Sequence, residues 1–139
     1  MKLTFALGFV IVFATTLAAC KGENDIEFDH YYSGGMVVYQ SSCQNCHGEK
    51  GEGLVNLMPP LTDSVYLKNN KGALACAIKY GQNRSIKVAG RDFDGNMPAN
   101  GQLSPVEIAE VLTYVTNSFG NKLGTVTTQQ VNNYLAKCK

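Results

Sequence analysis

The clearest periodic pattern lies late in the chain, after Ser104-Pro105-Val106-Glu107. Serine at the N-cap, proline at the first helical position and glutamate three residues after the cap form a helix start with a capping box. Gly120 is a suitable stop. Between these signals, the apolar residues are spaced as on one face of a helix. They are Ile108, Val111, Leu112, Val115 and Phe119.

Other segments predict further helices and leave little room for strands. The helix at the end of the chain opens on Thr127, with Gln130 three residues later, which resembles a second capping box. Ile86 and Val88 alternate with polar or charged neighbours and allow only a brief extended segment. The predicted fold class is therefore all-α. The further predicted helices span about 63–67, 71–80 and 127–137.

The first nineteen residues carry one basic residue, Lys2, before an apolar run, which is typical of a secretion signal. The run ends in Leu17-Ala18-Ala19-Cys20, which resembles the bacterial lipoprotein box, where the cysteine is lipidated and becomes the mature N-terminus. We expect a lipoprotein signal peptide over 1–19 and a lipidated N-terminus with a flexible tether over 20–30. The alternative is an ordinary signal peptide or an uncleaved anchor with an incidental cysteine. In either case the domain, residues 31–139, lies outside the cytoplasm.

Composition limits the function classes. The 139 residues are 45% hydrophobic with a net charge of +1, which excludes a two-domain dehydrogenase and a nucleic-acid binder driven by bulk positive charge. The charges are unevenly placed, because residues 21–63 carry seven acidic and two basic side chains. Residues 68–91 carry six basic side chains and no acidic one. This basic segment suits an acidic partner, although solvated helix faces explain it equally well.

Cys43-Gln44-Asn45-Cys46-His47 is a C-x-x-C-H motif, the attachment signal for c-type haem. Two thiols one helical turn apart can add to the two vinyl groups of haem, and the adjacent histidine can ligate the iron. A thioredoxin-like site would need a βαβ context, which the pattern lacks. A zinc site would need a second ligand pair, whereas Cys76 and Cys138 are isolated from each other. The motif therefore predicts one covalent haem c.

From about Gly35 to Tyr114 the sequence resembles the class I monohaem cytochrome c family. Gly35-x-x-x-Tyr39-x-x-x-Cys43 is similar to the family's N-terminal helix, and Pro59-Pro60-Leu61 to the segment that follows the haem motif. Met97-Pro98-Ala99 resembles the distal methionine loop, and residues 109–115 resemble the C-terminal helix that crosses the first. The resemblance implies helices and loops wrapped around one haem. Residues 121–139, with the terminal helix, are an extension beyond that core.

The resemblance also implies the ligands. His47 is the proximal iron ligand and its second ring nitrogen donates to the Pro59 carbonyl, while Leu61 packs on the haem. Met97, in a loop with glycine and proline, is the expected distal ligand. Met58 follows His47 by only eleven residues and is expected to pack near the haem edge. Arg91 precedes the methionine loop and is a candidate for neutralising a haem propionate.

Cys76 and Cys138 remain after Cys20 is assigned to the lipid and two cysteines to the haem. In an oxidising compartment two spare thiols tend to pair, so a bridge between them is expected. The alternative is two buried free thiols. A bridge would join the extension to the 71–80 helix.

These features predict a membrane-anchored electron carrier rather than an enzyme, facing the periplasm or the exterior of a bacterial cell. Its protein partners would be redox proteins that dock near the haem edge. Its lipid would attach it to the membrane. Two alternatives stay open. One is a haem subunit of a membrane oxidase or a periplasmic dehydrogenase, and the other a haem enzyme or gas sensor with an open sixth iron position.

Overall fold

The computed structural model describes residues 22–138, so the signal peptide predicted over 1–19 and the lipidation predicted at Cys20 lie outside the described residues. Within this range no helix is long and apolar enough to span a membrane. The elements of the described range are α1 (Glu23–Ser42), α2 (Gln44–His47), α3 (Ser64–Asn69), α4 (Lys71–Tyr80), β1 (Ile86–Val88), β2 (Arg91–Phe93), α5 (Pro105–Val115) and α6 (Thr128–Leu135).

The crossing of α1 and α5 organises the fold. At Gly35, which is buried, a Cβ atom would collide with the Glu110 carbonyl and would lie 2.8 Å from the Cβ of Tyr114. The helices therefore approach each other more closely than any side chain at position 35 would permit. Three aromatic rings pack around the crossing, with centroids 5.3 Å apart for Tyr39–Tyr114 and for Tyr39–Phe119.

Helix α5 supplies the centre of the core, as its apolar face predicts. Ile108 and Ala109 are fully buried, and its capping box is formed, with the Ser104 amide donating to the Glu107 carboxylate at 2.8 Å. The helix ends at Val115 rather than reaching Phe119. The Thr116 hydroxyl donates to the Leu112 carbonyl at 2.7 Å, and the Asn117 amide donates to the Thr113 carbonyl at 2.8 Å. These side chains donate to carbonyls of the last helical turn, where the helix ends.

The prediction of a flexible tether over 20–30 is wrong from Glu23 onward, because α1 begins there and runs without interruption to Ser42. Glu23 and Asp25 lie in its first turn, where acidic side chains favour the positive end of the helix dipole. Ile26 stays exposed, so these first turns gain little from burial. Polar composition alone suggested an irregular segment, whereas the segment continues the helix that begins the core.

The brief extended segment allowed at Ile86 and Val88 is β1, which forms with β2 an antiparallel hairpin in an otherwise helical fold; Ile86 pairs with Phe93. Its two turn residues, Ala89 and Gly90, both have positive φ (49° and 76°), as a tight two-residue hairpin turn requires. The tip is held by Asp63. One carboxylate oxygen of Asp63 accepts from the Ala89 amide at 2.9 Å, and the other caps α3 by accepting from two backbone amides at 3.0 Å.

The C-terminal segment packs against α4 and α5. Helix α6 begins with a formed capping box at Thr127, and its Val131 is fully buried. A disulfide joins Cys76 of α4 to Cys138, with Cα atoms 5.7 Å apart and a sequence separation of 62. Closing a loop of this length stabilises the folded state by about 4 kcal/mol on the chain-entropy account.

We expect Gly35→Ala to lower the free energy of unfolding by about 1–3 kcal/mol, because the new methyl group would force α1 away from α5. Gly34→Ala is the matched control: its added Cβ would meet only the end of the movable Glu110 side chain. Chemical denaturation of both variants measures the difference. Equal losses in the two variants would contradict a rigid close approach at Gly35.

Asp63→Asn should destabilise the protein in a pH-dependent way. Hydrogen bonds from the amides of Tyr66, Ala89 and Val65 hold the pKa of the Asp63 carboxyl below its ordinary value. A lowered pKa means that the stabilisation is present above the unfolded-state pKa, about 3.9, and is lost as pH falls through the folded-state pKa. Denaturation midpoints should therefore differ between wild type and variant at pH 7 and converge in acid. Asp94→Asn, which replaces an exposed carboxylate between β2 and Met97, is the control and should leave the midpoint at pH 7 unchanged.

Candidate haem site

A single cavity of about 1280 Å³ brings together most of the predicted site residues. This exceeds the ~300–1,000 Å³ of ordinary ligand pockets. Its walls come from the C-x-x-C-H segment, the loop that follows it, helices α3 to α5 and the loop at Met97. The predicted site residues that line it are Cys43, Cys46, His47, Pro59, Leu61 and Met97. Cys76 and Cys138 line it as well.

The two motif cysteines stand at the junction of α1 and α2. Of the cysteines that the structure describes, these two are outside a disulfide. Cys43 is partly buried and Cys46 is exposed. Burial, and to a smaller extent the neighbouring Cys46, raises the pKa of the Cys43 thiol to about 11. The Cys43 thiol is therefore protonated at neutral pH.

The alternatives to a haem site find little support in this geometry. Among the described residues, the strands form only an antiparallel hairpin, so the βαβ context of a thioredoxin-like site is missing. Between residues 22 and 138 no group of three or more His, Cys, Asp or Glu side chains is arranged to hold a metal ion, as a zinc site would require.

His47 is oriented by the segment that follows the motif. Its Nδ1 atom lies 3.3 Å from the Pro59 carbonyl oxygen. A carbonyl can only accept, so Nδ1 carries the proton and donates, which leaves the lone pair of Nε2 for a ligand. Burial lowers the pKa of His47, and the bond to Pro59 opposes this only partly. The ring is therefore neutral at pH 7, which is the form that binds a metal.

The loop between His47 and Leu61 is closed by backbone hydrogen bonds. The Gly53 amide donates to the His47 carbonyl and the Leu61 amide to the Gly51 carbonyl, each at 2.8 Å. The Tyr39 hydroxyl donates to the Gly48 carbonyl at 2.6 Å. Because burial raises the pKa of Tyr39, this hydroxyl remains a donor throughout the neutral range. The loop thus holds Pro59 in place beneath the motif helix.

Met97 lies on a separate loop, which is closed at its base. The Met97 amide donates to the Gln82 carbonyl at 2.8 Å, and the Gln82 amide to the Met97 carbonyl at 2.9 Å. The β1–β2 hairpin lies between these two residues, and Asp63 holds its tip. Met58 also lines the cavity, but its backbone pairs with Leu54 within the loop that carries Pro59. The two methionines therefore lie on different loops of the cavity wall.

Two basic residues differ from expectation. Arg91, the predicted propionate partner, does not line the cavity, and its guanidinium lies 5.7 Å from the ring centre of Phe93. Arg84 is exposed and lines the cavity instead. The sequence does not separate the two arginines, because both precede the methionine within one loop and only the path of the hairpin turns Arg91 outward.

The basic segment 68–91 is partly occupied by contacts within the chain. The Lys71 ammonium donates to the Leu123 carbonyl, and the Lys79 ammonium donates to the carbonyls of Gly101 and Leu103. Lys87 lies 3.6 Å from the Asp92 carboxylate, both being exposed. The segment therefore presents less free positive charge than its composition suggests.

Two residues of the site were missed by sequence reasoning. The sequence predicts Asp63 only as the start of a helix, whereas the structure shows that it also holds the hairpin before Met97. Asn121 is 2% exposed and binds the Leu61 carbonyl from its amide nitrogen at 2.8 Å. No sequence signal identifies such a residue, because a single polar side chain in a loop has no periodicity and its partners are distant in sequence.

Comparisons with known proteins agree with this geometry. Residues 32–115 match the family described as cytochrome c oxidase, cbb3-type, subunit III. A cytochrome c-552 of Thermus thermophilus is 30% identical over 91 residues, which cover 63% of this chain and 69% of that protein. A second cytochrome c-552, from a named strain of the same organism, is also 30% identical, and 61% of its length is covered.

A larger relative is the cbb3-type cytochrome c oxidase subunit CcoP of Rhodobacter capsulatus. It is 32% identical over 90 residues, but the chain spans only 29% of its length. The family match includes the C-x-x-C-H motif, Met97 and the crossing of α1 with α5. The chain therefore belongs to the class I monohaem c-type cytochromes, a family whose members carry covalently bound haem c.

Proposed function

We propose that the protein is a one-electron carrier, held at the outer face of a bacterial membrane, with one haem c in the cavity and no enzymatic reaction of its own. The observation that carries this proposal is that Cys43, Cys46, His47 and Met97 line one cavity although 54 residues separate the first from the last. A bound haem supplies a reversible Fe(III)/Fe(II) couple.

The residues present fit a covalent haem. Cys43 and Cys46 carry unpaired thiols, each of which can add its S–H across a vinyl group to form a thioether. The cavity wall is largely apolar, with Leu61, Leu74 and Val111 among its residues. Such a wall excludes water and keeps the dielectric around the iron low, which favours a raised potential.

His47 and Met97 would supply the two protein ligands to the iron of a bound haem. His47 is neutral, and its Nδ1–H is bound to Pro59, so Nε2 is the donor atom. Met97 is preferred over Met58 because Met58 lies on the same loop as Pro59, the residue that orients His47. Two ligands to one iron would have to come from two separate loops, and the 82–97 loop would supply the second.

Met97→Ala should abolish the methionine–iron charge-transfer band and shift the reduction potential by on the order of 100 mV, within the ~0.8 V range that axial ligands span. Met58→Ala is the matched control and should retain the band. Visible spectroscopy and a potentiometric titration measure both. A wild type that is high-spin and readily binds added ligands would instead favour a haem enzyme or gas sensor.

Redox partners are proposed to approach the cavity rim. Cys46, Leu57 and Tyr80 line the cavity and are exposed. Arg84, an exposed member of the basic segment, also lines the cavity and supports an acidic partner at this rim. The relative CcoP supports a second candidate function, a haem subunit of an oxidase complex. Co-purification after mild detergent extraction distinguishes a fixed subunit from a free carrier.

Membrane attachment through Cys20 and a periplasmic or exterior location are proposed from the Leu17-Ala18-Ala19-Cys20 sequence. Covalent attachment of haem c also suits an exported protein. Since α1 starts at Glu23, only two residues separate the proposed lipid site from the first helix. The domain would then stand close to the membrane surface.

Cys20→Ser should lose the mass of the acyl chains from the intact protein, because serine lacks the thiol that carries the lipid. Cys20→Ala should behave in the same way, and the haem spectrum of both variants should match wild type. A wild type that partitions into the aqueous phase in a detergent partition assay, or an intact mass without acyl chains, would contradict lipidation.

A further inference from the structure

The turn that follows α5, residues 116–121, lies outside the family match at 32–115 and yet touches both sides of the haem-motif loop. Phe119, with a positive φ of 57°, packs on Gly51, where an added Cβ would meet its ring. The hydroxyls of Ser118 and Tyr32 are 3.0 Å apart, which ties the same turn to α1. The turn is therefore tied to the haem-motif loop and to α1 rather than being a loose connection to α6.

Asn121 is the polar centre of this turn. Its amide nitrogen donates to the Leu61 carbonyl at 2.8 Å and to the Val115 carbonyl at 3.1 Å. Its amide oxygen accepts from the Ser64 hydroxyl at 2.7 Å. One side chain thus joins the end of α5, the start of α3 and the segment between Pro59 and Ser64. With 2% of its surface exposed, water cannot replace these bonds.

Leu61 connects Asn121 to the histidine. Its amide donates to the Gly51 carbonyl at 2.8 Å while its carbonyl accepts from Asn121, so Leu61 is held from both sides. Pro59, two residues earlier, provides the carbonyl that accepts from His47. The prolines at 59 and 60 restrict the chain between these two anchors. A displacement of Leu61 is therefore transmitted to the Pro59 carbonyl.

We propose that Asn121 is a positioning residue for His47, acting through Leu61 and Pro59. The inference rests on the proposed function, in which His47 ligates the iron. Loss of the Asn121 amide leaves the Leu61 carbonyl, the Val115 carbonyl and the Ser64 hydroxyl without this partner. The 59–61 segment then gains freedom, and the hydrogen bond from His47 Nδ1 to Pro59 opens more often. A histidine that donates less strongly is also a poorer electron donor to the iron, which raises the reduction potential.

The test compares Asn121→Ala with Asn117→Ala in the haem-loaded protein. Asn117 is a matched control because its amide lies in the same turn and is also extensively bonded. Its nitrogen donates to the carbonyls of Thr113 and Gly124, and its oxygen accepts from the amides of Leu123 and Gly124. These partners belong to α5 or to residues 123 and 124, so these hydrogen bonds of Asn117 do not reach the 59–61 segment.

Asn121→Ala should make the Nδ1 proton of His47 exchange with solvent about tenfold faster, as the loss of one hydrogen bond allows, and should raise the reduction potential. Proton NMR of the hyperfine-shifted histidine and a potentiometric titration measure the two effects. Asn117→Ala should lower the unfolding midpoint but leave the exchange rate of the His47 proton and the reduction potential unchanged. If Asn121→Ala does not take up haem, Ser64→Ala, which releases only the amide oxygen, should change both in the same direction by a smaller amount.

Wild-type exchange and potential in Asn121→Ala, or equal changes in Asn117→Ala, would overturn the inference. Absence of change in a folded Ser64→Ala variant would do the same when Asn121→Ala cannot be loaded. The proposed function fails differently, since a wild-type protein without a hyperfine-shifted histidine would show that His47 does not ligate the iron.

Discussion

The close crossing of α1 and α5 at Gly35 is the constraint on which the rest of the structure depends. Helix α1 runs on to Ser42 and delivers Cys43 directly, while Val111, Leu112 and Val115 of α5 form part of the cavity wall. The separation of the two helix axes therefore sets the distance between the attachment motif and the apolar wall. Because no side chain fits at position 35, that distance has little freedom.

One candidate iron ligand, His47, ends helix α2 where a loop begins, and the other, Met97, lies on a loop; hydrogen bonds rather than burial fix both loops. One loop begins at His47 and returns at Leu61, which binds the Gly51 carbonyl. The other leaves at Gln82 and returns at Met97, the two residues being paired through their backbones. Each loop is thus closed by backbone hydrogen bonds near its candidate ligand. Two side chains from distant parts of the chain can therefore be held at one cavity without a large core between them.

The segment after α5 adds ties that the family match does not cover. The Cys76–Cys138 disulfide joins the chain end to α4, and Asn121 joins the turn to the Pro59–Leu61 loop. The two ties differ physically. A disulfide acts mainly by restricting the conformations of the unfolded chain. A buried side-chain amide with three hydrogen-bond partners instead fixes the relative positions of the groups that it bonds. The extension thereby contributes both stability and local precision at the cavity.

The attachment motif and the capped helix α5 follow from the sequence alone, because each depends on neighbours within a few residues. The place of Gly35 at the crossing came from the family resemblance, since its partners Glu110 and Tyr114 are distant in sequence. The sequence pattern misjudged the start of α1 as a tether, and it indicated only the first strand of the hairpin, as a brief extended segment at Ile86 and Val88. Only the tertiary structure decided that Arg84 rather than Arg91 lines the cavity, and that Asp63 and Asn121 support the two loops. Those assignments depend on hydrogen bonds between residues 26 and 60 positions apart, and no local pattern encodes such a pairing.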